Sequence, residues 1–187
     1  MANHSFKFIL LKSMLLTALV FGGTAAATAQ NTPPVVSPDK TQSAFLKTAK
    51  GKTISTGSGD AEANQLWVMD TKTHHAKLLV ASKDNPDAKL VLAGLNNPVF
   101  SADGHRIYFL SAAWAVSDAV HAVDIRTGRG HFVCDGNSVD IIRSGRDRGN
   151  LIVFKHKYHP NGGGAYDAYW LVRPDGTEIR RLKSSKL

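Results

Sequence analysis

Short apolar runs closed by polar turn residues recur at regular spacing from residue 37 onward. Ser37-Pro38-Asp39-Lys40 leads into Ala44-Phe45-Leu46, and Ser101-Ala102-Asp103-Gly104 into Ile107-Tyr108-Phe109, with each phenylalanine six residues past its aspartate. A second element recurs as Leu66-Trp67-Val68-Met69-Asp70, Val120-His121-Ala122-Val123-Asp124 and Tyr169-Trp170-Leu171-Val172-Arg173, each an apolar run ending on a polar residue. The turns that follow are Thr71-Lys72-Thr73-His74, Ile125-Arg126-Thr127-Gly128 and Pro174-Asp175-Gly176, and the last two carry the glycine that tight hairpins use for positive φ. Closing strands are expected over 76–80, 131–134 and 178–182.

The third copy is degenerate at its start, where Ser144-Gly145-Arg146-Asp147 stands in for the turn and Leu151 to Phe154 for the next strand. Short β-branched and aromatic runs between turn signals predict an all-β chain of antiparallel four-stranded meander repeats, about three blades of a β-propeller-like array. The expected units are 37–82, 98–136 and 144–183 of a repeat domain over 37–187, preceded by a proline-rich extended leader over 30–36. The one competing helical signal is a possible turn over Gln42 to Lys50.

The run from Pro98 to Phe109, with Val120 to Asp124 and Thr127-Gly128, resembles the repeat of TolB-type β-propellers and of the propeller domains of prolyl oligopeptidases. That family carries a Ser-Pro-Asp-Gly turn, an apolar strand and a Leu-Trp-Val-Met-Asp type strand, matched in the first copy by Ser37-Pro38-Asp39 and Leu66 to Asp70. Ala102 replaces the proline, Lys40 replaces the glycine, and the third copy keeps only its second half. The resemblance covers about Val35 to Leu182 and implies a fold, not an activity, because the repeat serves scaffolds, peptidase gates and lyases alike. Closed propellers typically hold about four to eight blades, so three imply either an atypical closure or a homodimer.

The first 29 residues read as a signal peptide: Lys7 and Lys12 flank a basic start, Ser13 to Phe21 is almost wholly apolar, and Ala27-Thr28-Ala29 supplies small residues for cleavage after Ala29. The apolar run is too short for a membrane span of ~20 residues. A soluble periplasmic or secreted chain is therefore expected, and its single cysteine, Cys134, reads as a buried strand residue. Losing Lys7 and Lys12 lowers the basic count from 23 to 21 against 15 acids, a net charge near +6. That balance suits an envelope protein or an anionic polymer as partner, whereas nucleic acid is not favoured without exposed aromatics interleaved among the cations.

In a meander, alternate connections emerge at the same edge. The tight turns at 101–104, 126–129 and 173–176 should share one face, and the long connections over Lys47–Gln65, Ser111–Ala119, His156–Asp167, 81–97 and 135–145 the other. Long loops on a rigid scaffold usually carry recognition. The expected ligand- or partner-binding residues are Trp114, His156, Tyr158, His159, Tyr166 and Asp167. His156, His159 and Asp167 offer an alternative metal set for a small lyase or hydrolase acting on a polysaccharide, though two histidines on one loop are more often surface polar groups. Neither a cofactor nor a catalytic residue is expected: a Gly-x-Ser-x-Gly elbow is absent, Gly57-Ser58-Gly59 lacks its frame, and Gly162-Gly163-Gly164 comes without a Walker lysine. Asp70 and Asp124 read as turn acceptors, Trp67 and Trp170 as packing residues. Arg143, Arg146, Arg148, Arg180, Arg181, Lys183 and Lys186 keep an anion-binding reading open. The leading expectation is a non-catalytic, exported binding or scaffold module of the cell envelope.

Overall fold

The structure, a computed structural model, describes residues 33–185, so the expected signal peptide over 1–29 lies outside the described residues. Its twelve strands are β1 (Val35–Val36), β2 (Gln42–Thr56), β3 (Gly59–Asp70), β4 (Ala76–Ala81), β5 (Asn96–Phe100), β6 (Arg106–Ser111), β7 (Ala119–Asp124), β8 (Gly130–Asp135), β9 (Ser138–Ile141), β10 (Leu151–Tyr158), β11 (Ala165–Val172) and β12 (Glu178–Leu182). They form three four-stranded antiparallel meanders, β1 to β4, β5 to β8 and β9 to β12, the three propeller-like blades that the sequence pattern predicts. The stretch Gln42 to Lys50 is strand, and the only helical element among the described residues is a 3-10 turn at Ala88–Leu90. No helix among the described residues is long and apolar enough to cross a membrane.

The repeated turns close by the same local chemistry. Ser37 Oγ donates to Asp39 Oδ1 at 2.6 Å and accepts from the Gln42 amide at 2.9 Å; Ser101 Oγ does the same with Asp103 and Arg106 at 2.6 and 2.9 Å. Lys40 and Gly104 occupy equivalent turn positions with φ of 62° and 76°, so the lysine adopts the left-handed backbone for which glycine is the usual residue. At the other hairpins, Asp70, Asp124 and Asp175 accept backbone amides from Thr73, Thr127 and Thr177 at 2.7, 2.7 and 2.9 Å. Those amides, then the threonine hydroxyls, hold all three carboxyls below the ordinary aspartate range. Turn acceptors they are.

Alternation along the strands of the second blade serves both neighbours. Tyr108, Leu110, Val120 and Ala122 pack with Val139, Leu151, Val153 and Val172 of the third blade. Ile107, Phe109 and Val123 pack with Ala44, Leu66, Val68 and Val80 of the first. Period-two side-chain direction thus makes one sheet bind two others. Cys134, in β8, is buried in the interface with the third blade. The same interface holds Lys155, only 1% exposed, whose Nζ donates to Asp135 Oδ1 at 2.9 Å and Glu178 Oε1 at 2.7 Å.

Three differences from the sequence reading follow from pairing rather than from periodicity. Val35–Val36, within the expected leader, forms β1 by pairing with Ser43 and Ala44. Ser138–Ile141, within the expected connection 135–145, forms β9 along Leu151 to Phe154. The expected connections Lys47–Gln65 and His156–Asp167 are mostly strand, because β2 and β3 stay paired out to Thr56↔Gly59 and β10 and β11 out to Tyr158↔Ala165.

Candidate functional site

Those extended hairpins define the candidate site. In the third blade, β9 pairs only with residues 151–154 and β12 only with 169–172, so 155–158 and 165–168 continue past the sheet as a two-stranded ribbon. In the first blade, β2 and β3 likewise outrun β1 and β4, with a bulge between Thr48 and Thr53. Both ribbons leave from the β2–β3 type of connection, and hydrogen bonds tie that end of the three blades together. The Gly57 amide at the first ribbon's tip donates to Ala113 O at 2.9 Å, in the matching connection of the second blade. Asn137 joins the second blade to the third: its Nδ2 donates to Val116 O at 3.0 Å, its Oδ1 accepts the Asp118 amide at 2.9 Å, and its own amide donates to Phe154 O at 2.7 Å.

The ribbon of the third blade carries five of the six expected site residues, on two opposite faces. His156 and Asp167 are cross-strand partners joined by a 2.8 Å hydrogen bond between Nδ1 and Oδ1, and Tyr158 meets the His156 ring edge-on at 5.2 Å. Tyr166, the cross-strand partner of Lys157, projects from the other face, where His159 packs on it at 4.7 Å and the Arg181 guanidinium lies 5.2 Å from its ring centre. His159 is thereby engaged away from His156 and Asp167, and the described residues gather no group of three or more His, Cys, Asp or Glu able to hold a metal. Among the described residues, Tyr158, 67% exposed, is the most exposed large apolar or aromatic side chain. Trp114 is half-buried and meets Phe132 edge-on at 6.4 Å.

Cavities between the first and second blades lie outside the expected set. One of about 710 Å³ opens among the tight turns, between Asp70, His75 and Lys77 of the first blade and Asp103 to Arg106 and Asp124 to Arg126 of the second. Lys77 Nζ spans it, donating to the carbonyls of Ile125 and Arg126 at 3.1 Å each. Another, about 380 Å³, lies between β4, the connector 83–92 and the β7–β8 side of the second blade. Sequence periodicity is silent on both, since each is made by two blades meeting. The one available signal was His121, a histidine at a core-parity position of an apolar strand.

No protein-family model matches the chain, and no curated protein matches it. Solved structures do. The β-propeller domain of the Trilobed protease from Pyrococcus furiosus aligns over 81% of this chain and 43% of its own, at 14% identity and TM-score 0.51. Pyrococcus horikoshii acylaminoacyl peptidase aligns over 81% of this chain and 24% of its own, at 14% identity and TM-score 0.52. TolB from Acinetobacter baumannii aligns over 81% of this chain and 43% of its own, at 17% identity and TM-score 0.37. The chain therefore spans less than half the length of each of these structures. At such identities the two archaeal likenesses are ones of fold: three blades of propeller type.

Proposed function

We propose that the chain is an exported, non-catalytic binding or scaffold module of the cell envelope, with residues 1–29 acting as a signal peptide removed near Ala29. Recognition is assigned to the ribbon end of the blades. The observation that carries this reading is that the third ribbon outruns both neighbouring strands, presenting His156, Tyr158 and Asp167 on one face and His159 and Tyr166 on the other. A two-stranded ribbon with exposed tyrosine and histidine offers large amphipathic contacts at low entropic cost, as binding surfaces favour. An envelope protein or anionic polymer is the partner class that suits the charge, and a second copy of the chain is the other.

A photo-crosslinking residue placed at Tyr158 of the full chain, expressed in a bacterium with an outer envelope, tests this reading. A discrete adduct at Tyr158, absent with the probe at Arg126 among the tight turns, is the expected result. Adducts at Arg126 and none at Tyr158 would move the surface to the opposite end. The amino terminus of the exported chain, read by sequencing, is expected to be Gln30.

A second reading, anion binding, is favoured by the cavity of about 710 Å³, whose walls include Lys77, His105, Arg106 and Arg126. Asp70, Asp103 and Asp124 also line it, but each is engaged by its own turn. Binding of a polyanion such as heparin that weakens steeply with salt, and that Arg106→Ala with Arg126→Ala abolishes, would favour this reading over the ribbon.

A further inference from the structure

We infer that the cavity of about 380 Å³ between β4, the connector 83–92 and the β7–β8 side of the second blade is a binding site for a small aromatic molecule bearing a hydroxyl group, hydrogen-bonded to His121 Nε2. The site is independent of the ribbon end and of the partner proposed there.

Strand parity explains how a histidine reaches this position. On β7, Val120 and Ala122 face the third blade, whereas His121 and Val123 face the first. His121 is 4% exposed, stacks on Phe109 with ring centres 5.5 Å apart and planes 15° from parallel, and meets Phe132 edge-on at 6.0 Å. Phenylalanine or leucine would fill the same space with no polar atom to satisfy. Instead Nε2 is buried without a hydrogen-bond partner, a condition native interiors rarely leave in place. Nearby Ser111 shows the contrast: equally buried, its hydroxyl donates to Val91 O at 2.7 Å and accepts the Ala93 amide at 2.9 Å.

The surroundings define the ligand. Leu79, Leu90, Leu92, Phe109, His121 and Phe132 line the cavity, and Leu90 is 42% exposed there. Such volume, with a mostly apolar lining and a few polar groups, is the usual feature of a small-molecule site. Rings at face and edge orientations favour a flat aromatic body over a flexible chain. Burial first, and the charge of His131 second, keep the imidazole neutral. A hydroxyl suits either tautomer, donating to a bare Nε2 or accepting from a protonated one. Lys83, Asn85 and His131 are the other polar residues of the lining.

Titration of the full chain with p-cresol and with toluene, followed by the ring and methyl NMR signals of Phe109, His121, Phe132 and Leu90, tests the inference. The expected result is saturable movement of those signals, with p-cresol binding about fivefold or more tightly than toluene. His121→Phe should erase the preference while keeping toluene binding, and Leu90→Trp, which fills the cavity from a partly exposed position, should abolish binding of both ligands. Equal binding of the two ligands, binding of neither, a p-cresol preference that survives His121→Phe, or ligand binding unaffected by Leu90→Trp would each overturn it.

Discussion

Gly176, in the last hairpin of the third blade, lies against the backbone of Val133 in the second, so closely that a Cβ at this position would overlap the Val133 carbonyl oxygen. Its φ of 89° adds a second reason for glycine. The contact is backbone against backbone, which no rotamer change can relieve. Gly176→Ala is therefore expected to lower stability by about 2 kcal/mol or more, by separating the two blades. Gly128→Ala serves as control, because φ is 71° there but no atom lies within 4 Å of the added carbon; about 1 kcal/mol is expected. Urea unfolding midpoints of the two variants check the difference.

Lys155 predicts an asymmetry. Its ammonium is buried between Asp135 and Glu178, whereas the two carboxylates remain 39% and 29% exposed. Removing the lysine lets the acids hydrate; removing the acids strands a buried cation. Lys155→Met should stay within about 1 kcal/mol of the parent, and Asp135→Asn with Glu178→Gln should cost about 3 to 5 kcal/mol. Burial pushes the Glu178 carboxyl up, but hydrogen bonds and charge from Lys155 and Lys157 outweigh it and hold it below the ordinary 4.5. A depressed carboxyl contributes stability above its unfolded value and loses it as pH falls, so the parent should weaken on acidification below 4.5 more than Lys155→Met does. Unfolding midpoints between pH 7 and pH 3 check both points.

His121 gives a different pH window. Burial, with the nearby His131, lowers its pKa from 6.5 to about 4. Between those values the unfolded chain binds a proton that the folded chain refuses, so folding stability falls as pH drops from 6.5 toward 4. The loss is on the order of 3 kcal/mol at most. His121→Phe should flatten that part of the profile and, by removing the unpaired nitrogen, raise stability near pH 7 by about 1 kcal/mol. Thermal or urea unfolding at pH 7 and pH 4.5 decides.

These relationships separate what local chemistry announces from what assembly creates. The aspartate turns were legible because Asp39, Asp70 and Asp124 act on residues two or three positions away. Even the departure at Lys40 kept the turn, since the Ser37–Asp39 pair closes it regardless of the residue forced into positive φ. β1 and β9 were not legible: strands of two and four residues carry no periodicity and exist through the strands beside them. The ribbons were misread as loops because Thr48, Lys50, Lys52 and Ser55 look solvated, and backbone pairing is indifferent to polar side chains on a ribbon wet on both faces. Of the candidate site, the sequence places His156, Tyr158, His159, Tyr166 and Asp167 close along the chain, but their division between two faces depends on the register His156↔Asp167. Nothing in the sequence placed Phe132 beside His121, or Lys155 between acids of two blades.

Asn137 offers a test of how far the ribbon end depends on its clasp. Its side chain serves one acceptor and one donor of the second blade, Val116 O and the Asp118 amide, while its backbone amide holds Phe154, the last β10 residue before the free ribbon begins. Asn137→Ala keeps the backbone bond and removes both side-chain bonds. The Asp118 amide then turns to solvent, because the position is exposed, and the stability loss should be modest, about 1 kcal/mol. The larger effect falls on geometry: the connection 112–118 is released from the third blade, so amide hydrogen exchange should quicken at Asp118 but not at Ile107 or Val123 in the strand cores. If partner contact uses both that connection and the ribbon, crosslinking from Tyr158 should also weaken severalfold while the fold persists. Faster exchange at Asp118 with unchanged crosslinking would confine the contact surface to the third ribbon alone, and unchanged exchange would show that the clasp bears no strain of holding the blades in register.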